Sequence, residues 1–329
     1  MKKIFAFLSM IICCSLLFSL GSGEVSFFEE RNHYGVVADI SNKDIAVAGV
    51  NLSLEKFYPY VQIDVLEITN YFETESLILS AINSSYDGLV SMGKGNTILK
   101  DLSYEYPEKY FAILTESISS TLPGNINEYY IDLYDTSYLC GIAASSLSSY
   151  SKIGVIAHND SSYTNRGVEG FLDGVKEAGP NCNVVLYILD DGTSSETIRA
   201  IADSLYTEGV DIIFTLLGDD TTEVMEKARE KERYVISGDT YFNQDDAVLL
   251  SIKSYKEKAL PVIIGDFREK EVSGISIPLG LKDGVVELSW YIDPINLDVL
   301  TEDIITRLIE TKSSVRRYRT EIINGSQNL

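Results

Sequence analysis

The sequence predicts an α/β protein of two doubly wound parallel-sheet lobes joined by a hinge, and three observations predict it. From Tyr34 onward, short β-rich runs alternate with amphipathic stretches at roughly 20–30 residue spacing, the pattern of βαβ units. Val210–Leu216 (VDIIFTL) is a near-continuous apolar run, as a strand covered by helices on both faces requires. The alternation supplies about nine parallel strands in two similar halves, which suits two lobes of about five strands better than one sheet. With 329 residues and 45% hydrophobic content, the chain has material for two cores.

Taken in order, Tyr34–Ile40 is a strand, Ala46–Phe57 a helix and Val61–Ile68 an alternating strand. Glu73–Ser84 is helical, with Leu77, Ile78 and Ile82 on one face. Asp87–Met92 is a strand that ends at Gly93-Lys94-Gly95. Asn96–Tyr106 follows as a helix, then Tyr110–Leu114 and Glu128–Leu133 as strands. A small-residue helix spans Tyr138–Ala144, Ile153–Ala157 is a strand, and the polar loop His158–Ser162 leads into the next helix. The second half repeats the alternation with strands at Val184–Leu189, Val210–Leu216 and Tyr234–Ser237. Thr193-Ser194-Ser195-Glu196 reads as a capping box, and Asp220-Thr221-Thr222-Glu223 opens a further helix. After Asp239 the pattern changes. Ala247–Ile252 reads as a strand and Ser254–Glu269 as a helix interrupted by Pro261. Gly274–Leu281 and Gly284–Trp290 read as paired strands, and Thr301–Lys312 as a closing helix. The expected division is a signal peptide at 1–23, one lobe from 31–133 with about 243–273, and the other from 134–242 with about 274–329.

The net charge of −22 argues against a nucleic-acid polymer as partner, because phosphate contacts need clustered Lys and Arg. Lys2 and Lys3 precede an apolar run from Ile4 to Leu20 that closes on Gly21-Ser22-Gly23, the pattern of a secretory signal. The same run, left uncleaved, would anchor the chain in a membrane. Cys13 and Cys14 lie inside the run, so lipidation at either is a third outcome. Each outcome places the chain outside the cytoplasm, in the periplasm or on the outer face of the cell membrane, and confines membrane association to that segment. Cys140 and Cys182 either pair in an oxidising compartment or stay thiols; the small apolar surroundings of Cys140 favour a buried thiol.

Catalytic chemistry is poorly supplied. His33 and His158 are the only histidines, His33 reading as surface and His158 as a strand-end residue able to face a ligand. Nucleophile-elbow, zincin and phosphate-loop patterns are missing, and no Cys/His spacing points to a metal. Asp190-Asp191 and Asp219-Asp220 flank helix starts, where carboxylates cap free N–H groups. The expectation is a protein that is not an enzyme, with no metal and no cofactor. Ligands of open α/β sheets sit beyond the carboxyl ends of strands. That rule selects Ser41, Asn42, Gly93, Lys94, Gly218 and Asp219 as cleft residues.

Four segments carry a family resemblance. They are Tyr86–Val90 with Tyr106–Phe111, Tyr138–Ala144 with Lys152–Val155, Gly170–Val175, and Gly209–Phe214 with Val235–Asp239. In order and spacing this set is similar to the motifs of the basic membrane protein family, substrate-binding proteins of bacterial ABC transporters that include purine-nucleoside receptors. The resemblance implies a type I periplasmic-binding-protein fold with three hinge crossings. It also implies a small nucleoside-like ligand closed between the lobes, and a membrane permease that reads the closed form. Asp239 matches the family aspartate that accepts hydrogen bonds from ribose hydroxyls. Lys253 approximates the family lysine, one residue short. The chain departs from the family at the base-stacking aromatics: Asn42 stands near one and Leu189 near the other, with Tyr241 or Phe242 as a replacement platform. The alternatives that keep the fold are a surface interaction protein or antigen that has lost nucleoside binding, and a ligand sensor for a membrane partner.

Overall fold

The computed structural model describes residues 31–326 apart from 117, 120, 160–161, 191, 241, 243–244 and 291–298, with side chains through residue 315. The signal segment, Cys13, Cys14 and Tyr241 therefore lie outside the described residues. A first sheet has the order β11-β5-β4-β3-β1-β2. Its strands are β1 (Asn32–Asp39), β2 (Val61–Ile68), β3 (Gly88–Met92), β4 (Tyr110–Thr115), β5 (Ile126–Ile131) and β11 (Ser276–Leu279). Helices α1 (Lys43–Phe57), α2 (Thr74–Ile82), α3 (Asn96–Ser103) and α8 (Ala259–Glu269) flank it, α8 packing on α1 and β4.

The second sheet has the order β12-β10-β9-β8-β6-β7. It is built from β6 (Lys152–His158), β7 (Asn183–Leu189), β8 (Ile212–Leu216), β9 (Tyr234–Ser237), β10 (Val248–Ser254) and β12 (Val286–Ser289). Around it stand α4 (Tyr134–Leu147), α5 (Ser162–Ala178), α6 (Ser195–Thr207), α7 (Thr221–Lys231) and α9 (Glu302–Ser326). Every described pairing is parallel except β10 with β12. The central strands β3 and β8 are buried along their whole length, which explains their predominantly apolar runs, interrupted only by the buried Ser91 and Thr215.

Glycine sets the closest helix contact. A Cβ at Gly170 or Gly174 of α5 would overlap the carbonyl oxygens of Tyr134 and Tyr138 in α4. The two backbones thus approach as no larger residue allows, which accounts for the glycine spacing of Gly170–Val175. Phe171, between those glycines, stacks on Phe214 of β8 at 4.2 Å and 4°. The fully buried ring pair fixes α5 on the sheet.

Several expectations need correction. Each sheet has six strands, because β11 and β12 extend the two of them. The last two strands do not pair with each other. β11 lies beside β5 and β12 beside β10, and residues 280–285 form a crossing rather than a hairpin. The Leu279 carbonyl accepts the Asp132 N–H at 2.9 Å, so this crossing runs alongside the one after β5. β10 belongs to the second sheet and β11 to the first, so the expected lobe boundaries at 243 and 274 are displaced. The three crossings fall at 132–133, 255–258 and 280–285. Pro261 is the third residue of α8, within the first turn, where its missing N–H interrupts nothing. Ser194, one residue later than expected, caps α6 and accepts the Thr197 N–H at 3.2 Å. His33 lies within β1 and bonds Asp64 Oδ2 at 2.8 Å rather than standing free on the surface.

Candidate functional site

At the carboxyl edge of the first sheet, β1 ends on Asp39, only 3% exposed. Its Oδ1 accepts from Ser41 N (3.1 Å), Ser41 Oγ (2.6 Å), Asn42 N (3.2 Å) and Asn42 Nδ2 (3.0 Å). Its Oδ2 accepts from Lys94 N at 2.8 Å, joining the loops that follow β1 and β3. Burial opposes ionisation, but the hydrogen bonds from Ser41, Lys94 and Asn42 outweigh it and hold the carboxyl at about 2. Gly93 (φ +98) passes so close that a Cβ would overlap Asp39 Oδ2. This is a knot that shapes the edge.

Beside the knot lies a cavity of about 380 Å³ lined by Asn42, Met92, Gly93, Asn96, Leu114, Thr115, Glu116, Ile131 and Lys256. Its walls come from the ends of β3, β4 and β5 and from the crossing after β10. Asn96 donates through Nδ2 to the Leu114 carbonyl at 2.7 Å, while its Oδ1 is buried without a hydrogen-bond partner. An orphaned acceptor in a cavity wall suits a ligand hydroxyl or N–H. Lys256 Nζ donates to Glu116 Oε1 at 2.7 Å. A second tie crosses nearby: Arg166, in the first turns of α5, grips Asp132 with Nη2 at 3.1 Å and Nε at 3.3 Å and lies over the Tyr134 ring. Together these ties bring the carboxyl ends of β4 and β5 against those of β10 and β6. The carboxyl edges of the two sheets therefore face each other at the crossings.

On the second edge, Asp239 follows β9 and accepts the Gly218 N–H through Oδ2 at 2.8 Å. Gly218 (φ +56) turns the chain out of β8. Asp219 is exposed, and Asp220 makes no cap bond, lying instead 3.5 Å from His158 Nε2 at the end of β6. Capping thus does not explain the acid pair Asp219-Asp220. His158 Nδ1 is buried without a partner.

The structure brings Asn42 and Gly93 to the cavity wall and uses Ser41 and the Lys94 N–H to hold Asp39. Gly218, Asp219 and Asp239 gather on the opposite edge. Lys253 does not line the cavity. It sits on β10 with Nζ 4.8 Å from the Tyr255 ring, and Lys256, three residues on, supplies the cation. Phe242 packs on the second-sheet core and is tied to Ser251, so it offers no open platform. Asn96, Thr115, Glu116 and Lys256 were missed by the sequence reading. Thr115 ends β4 and the other three follow strand ends, but only the fold assembles them. Cys140 is fully buried and Cys182 partly so, both as free thiols, and burial pushes the Cys140 thiol up. Among the described residues no cluster of His, Cys, Asp or Glu is placed to hold a metal ion, and no helix is long and apolar enough to cross a membrane.

Comparison with known proteins gives a consistent picture. The family model described as ABC transporter substrate-binding protein, PnrA-like, matches residues 32–322. A CD4+ T-cell-stimulating antigen of Listeria innocua is 24% identical over 266 residues, 75% of this chain and 71% of that protein. Basic membrane protein A1 of Borrelia garinii is 22% identical over 272 residues, 73% of this chain and 81% of the relative. Among solved structures, a transcriptional activator of the comK gene from Bacillus halodurans superposes with a TM-score of 0.66 at 18% identity, covering 86% of this chain and 97% of the other. A solute-binding protein of an ABC transporter system from Aeropyrum pernix gives 0.59 at 18% identity, covering 88% and 92%. These two structures share the fold.

Proposed function

Because this chain belongs to the PnrA-like family of ABC transporter substrate-binding proteins, we propose that it is an exported receptor that closes on a small, polar, nucleoside-like ligand between its two carboxyl edges. The observation that carries this reading is the 380 Å³ cavity with the buried, unpartnered Asn96 Oδ1 in its wall, opposite the edge that holds Asp239. Asn96, Asn42 and Asp239 supply hydrogen-bonding groups to hydroxyls, and Met92, Leu114 and Ile131 supply apolar wall. The three crossings act as the hinge, and closure removes the ligand from water. The membrane permease of the transporter is the partner that reads the closed form. The N-terminal segment exports the chain and, uncleaved or lipidated, tethers it. A second reading is favoured by the absence of any aromatic ring among the described residues of that cavity wall: the same fold serves as a surface interaction protein without a nucleoside.

Thermal-shift screening of the purified protein against nucleosides, nucleobases and sugars separates the two. A ligand at about 100 times its Kd adds ~2.7 kcal/mol of stability. A saturable rise in Tm with a nucleoside supports the first reading, and a flat response across the panel supports the second.

A further inference from the structure

Ring stacking is the contact that a nucleoside-like ligand would need and that the described residues of the cavity wall do not supply. Exposed aromatic residues elsewhere among the described residues lie mostly at the wrong end. Tyr58, Tyr60, Tyr104 and Tyr150 stand at the amino ends of the strands, and Tyr187 lies mid-strand on β7. At the carboxyl edge of the first sheet the exposed rings are Tyr71 and Phe72, directly after β2, with Phe72 93% and Tyr71 60% exposed. Phe72 is the one exposed phenylalanine among the described residues. Leaving a phenylalanine in water forgoes the whole of its burial energy.

The turn that presents this ring is built rather than loose. Asn70 Oδ1 accepts the Phe72 N–H at 3.1 Å, and Asn70 Nδ2 donates to Glu73 Oε1 at 3.3 Å. Tyr71 braces the ring edge-on, with centroids 6.3 Å apart. Ile68, the last residue of β2, reaches within 3.4 Å of where a Cβ on Gly95 would stand. The strand end that leads into the turn thus packs beside the Gly93–Asn96 loop of the cavity. β2 is the edge strand farthest from β5 and β11, where the crossings leave the first sheet. Phe72 therefore stands at the open side of the cleft, on the lip that travels farthest during hinge closure.

We propose that Phe72 is the aromatic platform of the cleft, a specificity-determining residue that stacks on the flat heterocycle of the ligand when the edges close. This rests on the nucleoside-like reading of the site. Its test is calorimetric titration of wild type, Phe72→Ser, Phe72→Trp and the control Tyr104→Ser with adenosine, inosine, uridine and free ribose. One stacked ring contributes about 1–3 kcal/mol, so Phe72→Ser weakens the best nucleoside by about 5- to 150-fold. Ribose binding stays the same, Phe72→Trp restores the nucleoside, and Tyr104→Ser is neutral. Because Phe72 touches so little of its own protein, the serine variant keeps the fold, which its melting curve checks. Nucleoside affinity unchanged in Phe72→Ser overturns the platform alone, as does an equal loss for nucleoside and ribose. Wild type that binds no nucleoside overturns the platform together with the reading beneath it.

Discussion

The two carboxyl edges each place an aspartate at the end of a strand, yet they use it differently. Asp39 on the first edge is buried and accepts five hydrogen bonds from its own loops. Asp239 on the second edge is only half-buried; its Oδ2 accepts the Gly218 N–H at 2.8 Å and its Oδ1 the Thr240 hydroxyl at 3.5 Å. The first carboxylate shapes a wall, and the second is the one proposed to meet the ligand. Position at a strand end does not by itself make a residue a ligand contact; burial separates the two aspartates.

The contrast is sharpest in stability. Asp39→Ala removes in one step the acceptor of the part-buried Lys94 N–H and of the Ser41 and Asn42 side-chain donors. With about 1–3 kcal/mol for each unsatisfied group, the expected loss is ~3–5 kcal/mol in denaturant unfolding. A loss under about 1 kcal/mol, the level of an ordinary surface change, would put Asp39 on the same footing as Asp239. Gly93→Ala attacks the same knot from the other side, since its Cβ overlaps Asp39 Oδ2 and its φ is +98. The expected cost is about 1–3 kcal/mol, read in the same unfolding curves.

Acid should expose the knot as well. The Asp39 carboxyl lies at about 2 in the folded chain, below its ordinary 3.8. As pH falls, the unfolded chain takes up this proton first. The contribution is therefore complete above about 3.8 and is lost as pH falls through about 2. Stability measured across this range in wild type and Asp39→Asn should differ in slope there and run parallel at higher pH. Equal slopes would show that the knot does not hold the charge.

The smallest effect belongs to the tie between the edges. Lys256 and Glu116 are a partly exposed pair, with 37% and 58% of their side chains accessible, so Lys256→Met should change stability by less than about 1 kcal/mol. Ligand affinity is the informative readout. A change there with unaltered melting would place Lys256 at the ligand, and no change would leave it a crossing tie.

Much of the fold was legible because strand periodicity and apolar runs are local properties. Val61–Ile68 and Tyr234–Ser237 are strands with the expected limits, and Val210–Leu216 contains β8. Sheet membership was less accessible. Nothing in the composition of Val248–Ser254 or Ser276–Leu279 tells which sheet each joins, because the crossings beside them are short and ordinary. The site divides in the same way. Asn42 and Gly93 were found by following strand ends, and both line the cavity. Glu116 and Lys256 lie 140 residues apart and meet only once the crossings are formed. Phe72 belongs to no motif or strand end in the sequence; its exposure is visible only in the fold.

The account turns on Asp239 serving the ligand while Asp39 serves the wall, and one comparison tests that directly. Calorimetric titration of the nucleoside with the largest thermal shift is carried out on wild type and Asp239→Ala, with unfolding measured on both. Loss of a hydrogen bond to a charged group, about 1.5–3 kcal/mol, predicts affinity weakened by roughly 10- to 150-fold with Tm almost unmoved. Unchanged affinity, or a collapse in stability like that expected of Asp39→Ala, would contradict it.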